Sequence, residues 1–454
     1  MGPDLGSVNH TAPFYSRGLW GALVLMVTVS DRQERGQRVK LALSIGFNLL
    51  SKIPGIVSVF LVLPVIKTCL GLDTYGHLLA AAALGSACGL PFGGIDITGR
   101  RWLGAAHAAG DRAAEADRFV TALSISAAAA VLMALAAFAF QRLHGTLLVF
   151  ALASAAAPAS AIFSTFDTVR AGYNEAYVSA ICRAVSQSAC IAAVLCLGLP
   201  PHAVLLCILV LQFAAAPGTI GSAIELFCAR PYLRRGRVRR VKRFLHAALG
   251  YIITDSAQFA ALNLSIFMVS LHAAGVEIAW LGTLTRLFLS VLSPVVLVVL
   301  PVGSYVTLLW AQLPARRRSS LLFWFLFGGM AYGYAVAALA TLGGSFVLKH
   351  WFKIPDPWSA RELLCLGLYF GALAANKVYA QLIFSIGDAW LFSCASGVIA
   401  LLSVGTCFAL MLIHAPPPAM IDHFCTLGAT LLTGLLILDY LRRARALAPK
   451  LRAA

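Results

Sequence analysis

The sequence is poor in charged residues. They make up only 12% of its 454 residues, about half the share in a soluble globular protein, whereas 60% of the residues are hydrophobic. Apolar runs of twenty or more residues recur from Leu41 almost to the C-terminal end, and each is long enough to cross a bilayer. This composition excludes a soluble globular protein and predicts an all-α polytopic membrane protein.

Several motifs of enzymes and cofactor-binding proteins are absent. The chain has no G-x-x-x-x-G-K-[ST] loop for a nucleotide and no H-E-x-x-H pair for a catalytic metal. Its eleven cysteines include no C-x-x-C pair, and most lie within or at the ends of apolar runs, where they act as small hydrophobic residues. The sequence therefore predicts no disulfide, no metal site and no cofactor.

The apolar runs predict about twelve transmembrane helices. Their approximate bounds are 41–66, 77–96, 119–140, 147–166, 177–199, 204–227, 244–271, 278–301, 321–347, 363–384, 390–413 and 421–440. When the connections are assigned alternately to the two sides, one side holds twenty-six basic residues and the other holds five. Because lysine and arginine are enriched in cytoplasmic loops, both termini are predicted to be cytoplasmic.

The same charge distribution bears on possible partners and activities. The net charge of +17 falls in short clusters between apolar runs, as membrane topology requires, and so predicts no nucleic-acid partner. The longest connection on the predicted outer side, 348–362, has only fifteen residues, which is too few for a catalytic domain. An enzyme is therefore not expected.

A weak internal repeat divides the chain in two. Gly46, Gly71 and Asp73 recur 204 residues later as Gly250, Gly275 and Glu277. We predict six-helix lobes at 38–229 and 244–441 around a central cavity, related by an axis along the membrane normal. The basic segment 230–243 would be a cytoplasmic linker, and 442–454 a basic cytoplasmic tail. Residues 1–37 form an extension whose apolar piece, 18–29, is too short to span; it is expected to be an interfacial helix or to precede a true start at Met26.

Four ionisable residues lie deep within predicted spans: Lys52, Asp255, Arg286 and Lys377. Lys52 is ~18 Å along its helix from Lys40 and ~22 Å from Lys67. A charge at such depth costs roughly 2.5–3.5 kcal/mol on insertion scales. Polar side chains share a helical face with each charge, and the candidates among them for hydrogen bonds to a ligand are Asn48, Gln258, Asn263 and Gln381.

Two interpretations of these charges are open. Neighbouring helices could neutralise them in place, with Lys52 and Asp255 as a structural pair. Alternatively, they line a water-filled cavity that binds an anion, because lysine and arginine bind phosphate oxygens by charge-assisted hydrogen bonds. Three cations against one anion leave a positive surplus, which favours the second interpretation. Proline interrupts several spans, and the predicted hinges are Pro54, Pro91 and Pro294.

Three stretches resemble a known family, the polysaccharide flippases of the multidrug/oligosaccharidyl-lipid/polysaccharide (MOP) exporter superfamily. The first is LVLPVIKTCLGLDTYGHLLAA (61–81), with an LG-x-x-x-YG turn. The second is GGIDITGRRWLGAAHAAGD (93–111), and the third is FDTVRAGYNEAYVSAI (166–181). The resemblance implies two six-helix lobes that enclose a V-shaped cavity, with the first, second, seventh and eighth spans prominent.

The resemblance also implies a function. Such flippases move undecaprenyl-pyrophosphate-linked oligosaccharides, such as O-antigen units, across the bacterial inner membrane by alternating access. Lys52 and Arg286 would hold the pyrophosphate, Lys377 would add to the positive field, and Asp255 would tune or release the grip. The coupling ion, H+ or Na+, is left open, and other polysaccharide-assembly proteins are possible partners.

Other functions remain as alternatives. A drug/cation antiporter of the same superfamily is the first, although such relatives typically carry a carboxylate in the first span, where this chain has Lys52 and no acid. A membrane-embedded glycan polymerase or ligase, and a scaffold without transport activity, are less favoured.

Overall fold

The computed structural model describes residues 46–452 apart from 48, 144, 174, 254–256, 311–312, 356–357 and 387–388. Within these residues all regular secondary structure is helical, because a backbone in lipid must satisfy its hydrogen bonds within each segment. The first half contains α1 (Ile53–Leu70), α2 (Leu72–Cys88), α3 (Leu90–Ala108), α4 (Arg112–Leu143), α5 (Leu148–Ser160), α6 (Ile162–Gly172), α7 (Ala176–Leu197), α8 (Val204–Phe213) and α9 (Ala216–Ala229). The second half contains α10 (Val241–Tyr251), α11 (Ala257–Ser270), α12 (Gly275–Leu309), α13 (Ala315–Phe346), α14 (Ala360–Ile386), α15 (Trp390–Leu412) and α16 (Pro417–Arg452).

These helices account for the predicted spans. Nine helices of the described part are long and apolar enough to cross a membrane, and the count reaches eleven when each of two bent pairs is taken as one span. The shorter apolar helix α11 lies where the seventh span was predicted. The prediction of an all-α polytopic membrane protein is confirmed.

Several spans are broken rather than continuous. Helices α2 and α3 form one bent pair, at 45°, and α8 and α9 form the other, at 44°. Pro91, the second residue of α3, has no N–H to continue the ladder of α2, so the break lies at the predicted hinge. The break before α9 was not predicted; Pro217 in the first turn of α9 explains it in the same way. By contrast, α12 is one helix across Pro294.

The seventh span joins the two halves of the molecule. Its first part, α10, packs against α3 and α4 of the first half, and α11 packs between α2 of the first half and α15 of the second half. A single continuous helix at 244–271 was expected, but the structure ends α10 at Tyr251 and begins α11 at Ala257.

Small residues bring α2 of the first half against α12 of the second. A Cβ added at Gly76 would lie 2.5 Å from the carbonyl oxygen of Gly275 and 3.1 Å from the amide nitrogen of Ala279. On the same face, the buried Tyr75 hydroxyl hydrogen-bonds the Thr283 hydroxyl, with 2.8 Å between the oxygens. The two halves therefore meet through close backbone packing and one buried polar contact.

A second contact between the halves lies at the predicted outer end, and we call it the outer latch (Lys67, Phe60 and residues 351–353). The Lys67 ammonium donates to the carbonyl oxygens of Phe352 at 2.6 Å and Lys353 at 3.3 Å. The Trp351 indole donates to the carbonyl oxygen of Phe60 at 2.7 Å. These bonds hold α1 to the segment between α13 and α14, so the two halves are joined at this end.

The close approach at Gly76 gives a stability prediction. Gly76→Ala is expected to lower the stability of the purified protein by roughly 1–3 kcal/mol, because the added methyl group forces α2 away from α12. Gly221→Ala in α9 is the matched control, since a Cβ there meets nothing within 4 Å and alanine favours a helix. Thermal unfolding in detergent measures both. Equal melting temperatures for the two variants would contradict the packing described for α2 and α12.

Candidate functional site

A cavity of about 310 Å³ lies between the two halves. The first half contributes Ser51, Lys52, Gly55, Ile56, Val59, Arg183, Gln187 and Ala215, and α12 of the second half contributes Arg286, Leu289 and Ser290. Three of these lining residues are cations, and each comes from a different span. The structure therefore brings together Lys52 and Arg286, two of the residues singled out from the sequence, and adds Arg183.

Lys52 lies at a turn in the first span. The Lys52 amide bonds the carbonyl oxygen of Leu49 at 3.0 Å, one residue nearer than in a regular α-helix. The cause is Pro54, the second residue of α1, which has no N–H to donate to the carbonyl oxygen four residues earlier. The predicted hinge at Pro54 thus coincides with a break that directs Lys52 into the cavity.

Arg286 reaches the cavity from one face of α12. Ser290, one turn further along, lines the cavity as well, and Thr283, one turn before it, contacts Tyr75. The predicted polar stripe on this helix therefore faces the first half of the molecule, as the spacing of three and four residues indicates.

Arg183 was missed as a site residue because it was counted with the cytoplasmic basic residues. It lies within α7, where its Nη1 is 2.7 Å from the Oδ2 of Asp167 on α6. Gln187, one turn further along α7, also lines the cavity. That spacing of four residues inside a predicted span was the available signal.

The other predicted residues lie inside the second half and do not line this cavity. Lys377 on α14 is only 5% exposed, and its ammonium is 4.3 Å from the ring centroid of Phe259 on α11. Gln381, one turn further along α14, is buried as well. Gln258 donates from Nε2 to the carbonyl oxygen of Ser396 at 2.7 Å, and Asn263 donates from Nδ2 to that of Phe259 at 2.8 Å.

Asn48 and Asp255 lie outside the described residues. The alternative of a structural pair between Lys52 and Asp255 therefore stays a prediction, as do the roles proposed for both residues. The side chain of Pro294 is also outside the described set.

A polar cluster fixes the turn between α6 and α7; we call it the α6–α7 clasp (Arg170, Glu175, Ser222, Glu225 and Arg230). The Arg170 guanidinium, 2% exposed, donates to the Ser222 carbonyl oxygen at 2.7 Å and to the carboxylates of Glu175 and Glu225. Arg230 forms two bonds to Glu175, at 2.6 and 3.0 Å. Asp167 lies on α6 and Arg183 on α7, so by joining these two helices the clasp also keeps the two members of the ion pair facing each other.

The clasp shifts the acidity of Glu175. Burial opposes ionisation of its carboxyl group, but the bonds and charges of Arg230 and Arg170 outweigh that effect and lower its pKa below the ordinary 4.5. The hydrogen bond to Glu175 in turn raises the pKa of the Arg230 guanidinium. The pair is therefore ionised at neutral pH.

Comparison with known structures identifies the fold. An inward-facing multidrug resistance MATE family transporter of the MOP superfamily matches with a TM-score of 0.60 and 14% identity, over 95% of this chain and 98% of its own. An outward-facing structure of such a transporter matches at 0.61 and 14%, over 90% and 97%. A MOP superfamily transporter from Pyrococcus furiosus, described as having a binding pocket of reverse polarity that suggests a different function, matches at 0.62 and 12%, over 90% and 96%. No family model and no curated protein sequence matches the chain. The chain has the fold of these transporters.

The lowered pKa of Glu175 predicts how the stability depends on pH. A carboxyl group whose pKa is depressed in the folded state stabilises that state above its unfolded pKa and loses the contribution as the pH falls through the folded value. Glu175→Gln is therefore expected to lower the melting temperature at pH 7, and the difference from the unaltered protein is expected to shrink below about pH 4.5.

Thermal unfolding in detergent, from pH 7 to below pH 4.5, measures the difference in melting temperature between Glu175→Gln and the unaltered protein. Asp111→Asn is the control, because Asp111 caps α4 and asparagine is an equally good cap. A difference for Glu175→Gln that stays constant from pH 7 down through the acid range, about pH 2–3, would contradict the ionic character of the clasp.

Proposed function

We propose that this protein is a transporter that moves a polyprenyl-diphosphate-linked oligosaccharide across the bacterial inner membrane, for surface polysaccharide synthesis, by alternating access. The observation that carries the proposal is the convergence of Lys52, Arg183 and Arg286 on one cavity between the halves. The cavity is lined by these three cationic side chains, and one carboxylate, that of Asp167, pairs with Arg183 at its edge.

The chemistry of the lining favours an anion. Arginine offers a planar fork of N–H donors that matches phosphate oxygens, and lysine adds a point charge. At the low effective dielectric of a membrane interior, the same three charges repel a cationic passenger. A diphosphate diester, which carries one negative charge on each phosphate, compensates the net charge of the three cations and Asp167.

The rest of the lining suits the remainder of such a substrate. Ser51, Gln187 and Ser290 bring hydroxyl and amide groups to the cavity and can hydrogen-bond the sugar nearest the diphosphate. Ile56, Val59 and Leu289 supply apolar contacts. A volume of about 310 Å³ is at the lower end of the range for small-molecule pockets and fits the diphosphate with its first sugar.

The outer latch supports a transport cycle. Its bonds join α1 to residues 351–353 at the predicted outer end, so we infer a state with that end closed and the cavity reached from the cytoplasmic side. Opening the latch would expose the cavity to the other side. Because the bonds are few and made largely to backbone carbonyl oxygens, the latch can open without unfolding a helix.

A drug/cation antiporter is the second candidate, and the fold shared with multidrug resistance MATE transporters favours it. The Pyrococcus furiosus transporter, whose binding pocket is described as having reverse polarity, has the same fold. A fold of this kind is therefore compatible with pockets of more than one polarity, and the lining residues have to decide the substrate. In this chain the lining is cationic.

The proposal predicts the effect of removing each cation. Lys52→Ala, Arg183→Ala and Arg286→Ala, each present in the membrane at normal level, are expected to slow translocation of a labelled lipid-linked glycan in proteoliposomes by roughly tenfold to hundredfold, since each loses a charge-assisted bond to phosphate. Arg361→Ala is the control, because Arg361 is 77% exposed and pairs with Asp422 away from the cavity.

Two results would contradict the proposal. One is normal translocation by both Lys52→Ala and Arg286→Ala. The other is drug resistance that depends on the three cations while glycan translocation does not, which would favour the antiporter.

A further inference from the structure

The ion pair between Arg183 and Asp167 is incompletely satisfied. An arginine and a carboxylate often form two parallel bonds, but here the short contact is between Nη1 and Oδ2, at 2.7 Å. The other carboxylate oxygen, Oδ1, and the Arg183 Nε are both buried, and neither has a hydrogen-bond partner among the described residues. Each partner thus retains a buried group that can still form a bond.

The pair lies at the edge of the cavity rather than in a sealed core. The side chain of Arg183 is 27% exposed and lines the cavity, whereas that of Asp167 is 18% exposed and does not line it. Lys52 is within electrostatic range of both groups, and Ser179 hydrogen-bonds the Asp167 carboxylate. Asp167 therefore has other partners beside it if Arg183 turns away.

We propose that Asp167 is a resident counterion that holds Arg183 while the cavity is empty and gives it up to a phosphate of the substrate. The inference rests on the proposed function, because it assigns the fate of one bond in that site. On binding, the guanidinium exchanges the carboxylate oxygen for a phosphate oxygen, and Asp167 remains beside Lys52 and Ser179. On release, the carboxylate takes Arg183 back.

The exchange of partners would let the site release its substrate as well as bind it. A transport site must bind its passenger well enough to load it and weakly enough to let it leave. A competing carboxylate lowers the affinity by the free energy of the bond that has to be broken. In return, it offers Arg183 a partner at the moment of release, so the empty site is never left with three unpaired cations.

Asp167 acts through Arg183 and is therefore a positioning residue, and its removal should move affinity and turnover in opposite directions. Asp167→Asn is expected to bind farnesyl diphosphate roughly tenfold more tightly than the unaltered protein, because the bond to the carboxylate no longer competes. The same variant is expected to translocate lipid-linked glycan several-fold more slowly, because release is impaired. Arg183→Ala should bind farnesyl diphosphate more weakly than the unaltered protein. The double variant Arg183→Ala/Asp167→Asn should bind it as weakly as Arg183→Ala alone.

The binding assay is a titration of farnesyl diphosphate into the purified full-length protein in detergent. Asp117→Asn is the matched control: Asp117 is 23% exposed, belongs to the same half and pairs with Arg239 outside the cavity. Its affinity should equal that of the unaltered protein. Size-exclusion profiles and melting temperatures show whether each variant is folded.

The outcomes separate this inference from the proposed function. If the unaltered protein binds farnesyl diphosphate and folded Asp167→Asn binds it equally or more weakly, the exchange is wrong while the anion site stands. If Asp167→Asn tightens binding in the absence of Arg183 as well, Asp167 acts by general charge and the exchange is again wrong. If neither the unaltered protein nor any folded variant binds the probe, the anion site and the exchange fail together.

Discussion

The structure depends on one electrostatic constraint: three like charges, on Lys52, Arg183 and Arg286, line one cavity, and Lys52 and Arg286 lie deep in the spans predicted from the sequence. Each charge is costly at that depth, and mutual repulsion adds to the cost. The molecule meets the constraint by keeping the charges on a cavity between its halves and by placing Asp167 next to Arg183. An arrangement with a net positive charge is stable when water or an anionic ligand compensates it, and this links the stability of the site to its proposed function.

The interruptions of the helices follow from the same requirement. The first span turns at Ser51 and Lys52, and the sixth breaks beside Ala215, and these three residues line the cavity. Non-helical backbone at membrane depth is tolerated where protein or water satisfies it. The Ser186 hydroxyl does so at the second break by donating to the Ala214 carbonyl oxygen at 2.7 Å. The cavity thus lies where the helices are interrupted. Elsewhere, the close packing of α2 on α12 and the outer latch join the two halves.

The sequence predicted the fold class and part of the site. Depth within an apolar run identified Lys52 and Arg286, and proline chemistry located the breaks at Pro54 and Pro91. Arg183 was overlooked because charge counting assigns a basic residue near a span end to a loop, whereas in the structure it lines the cavity and pairs with Asp167. Lys377, Gln258 and Asn263 were grouped with the cavity because helical spacing gives the polar face of a helix but not the neighbour that this face meets. Tertiary packing places those three residues within the second half.

The most direct test of the account is an experimental structure of the protein with a polyprenyl diphosphate bound. The account predicts the diphosphate between the two halves, with its oxygens at hydrogen-bond distance, about 2.7–3.2 Å, from Lys52, Arg183 and Arg286. A diphosphate bound elsewhere, such as beside Lys377 within the second half, or a cavity in which these three side chains do not contact the phosphates, would contradict it.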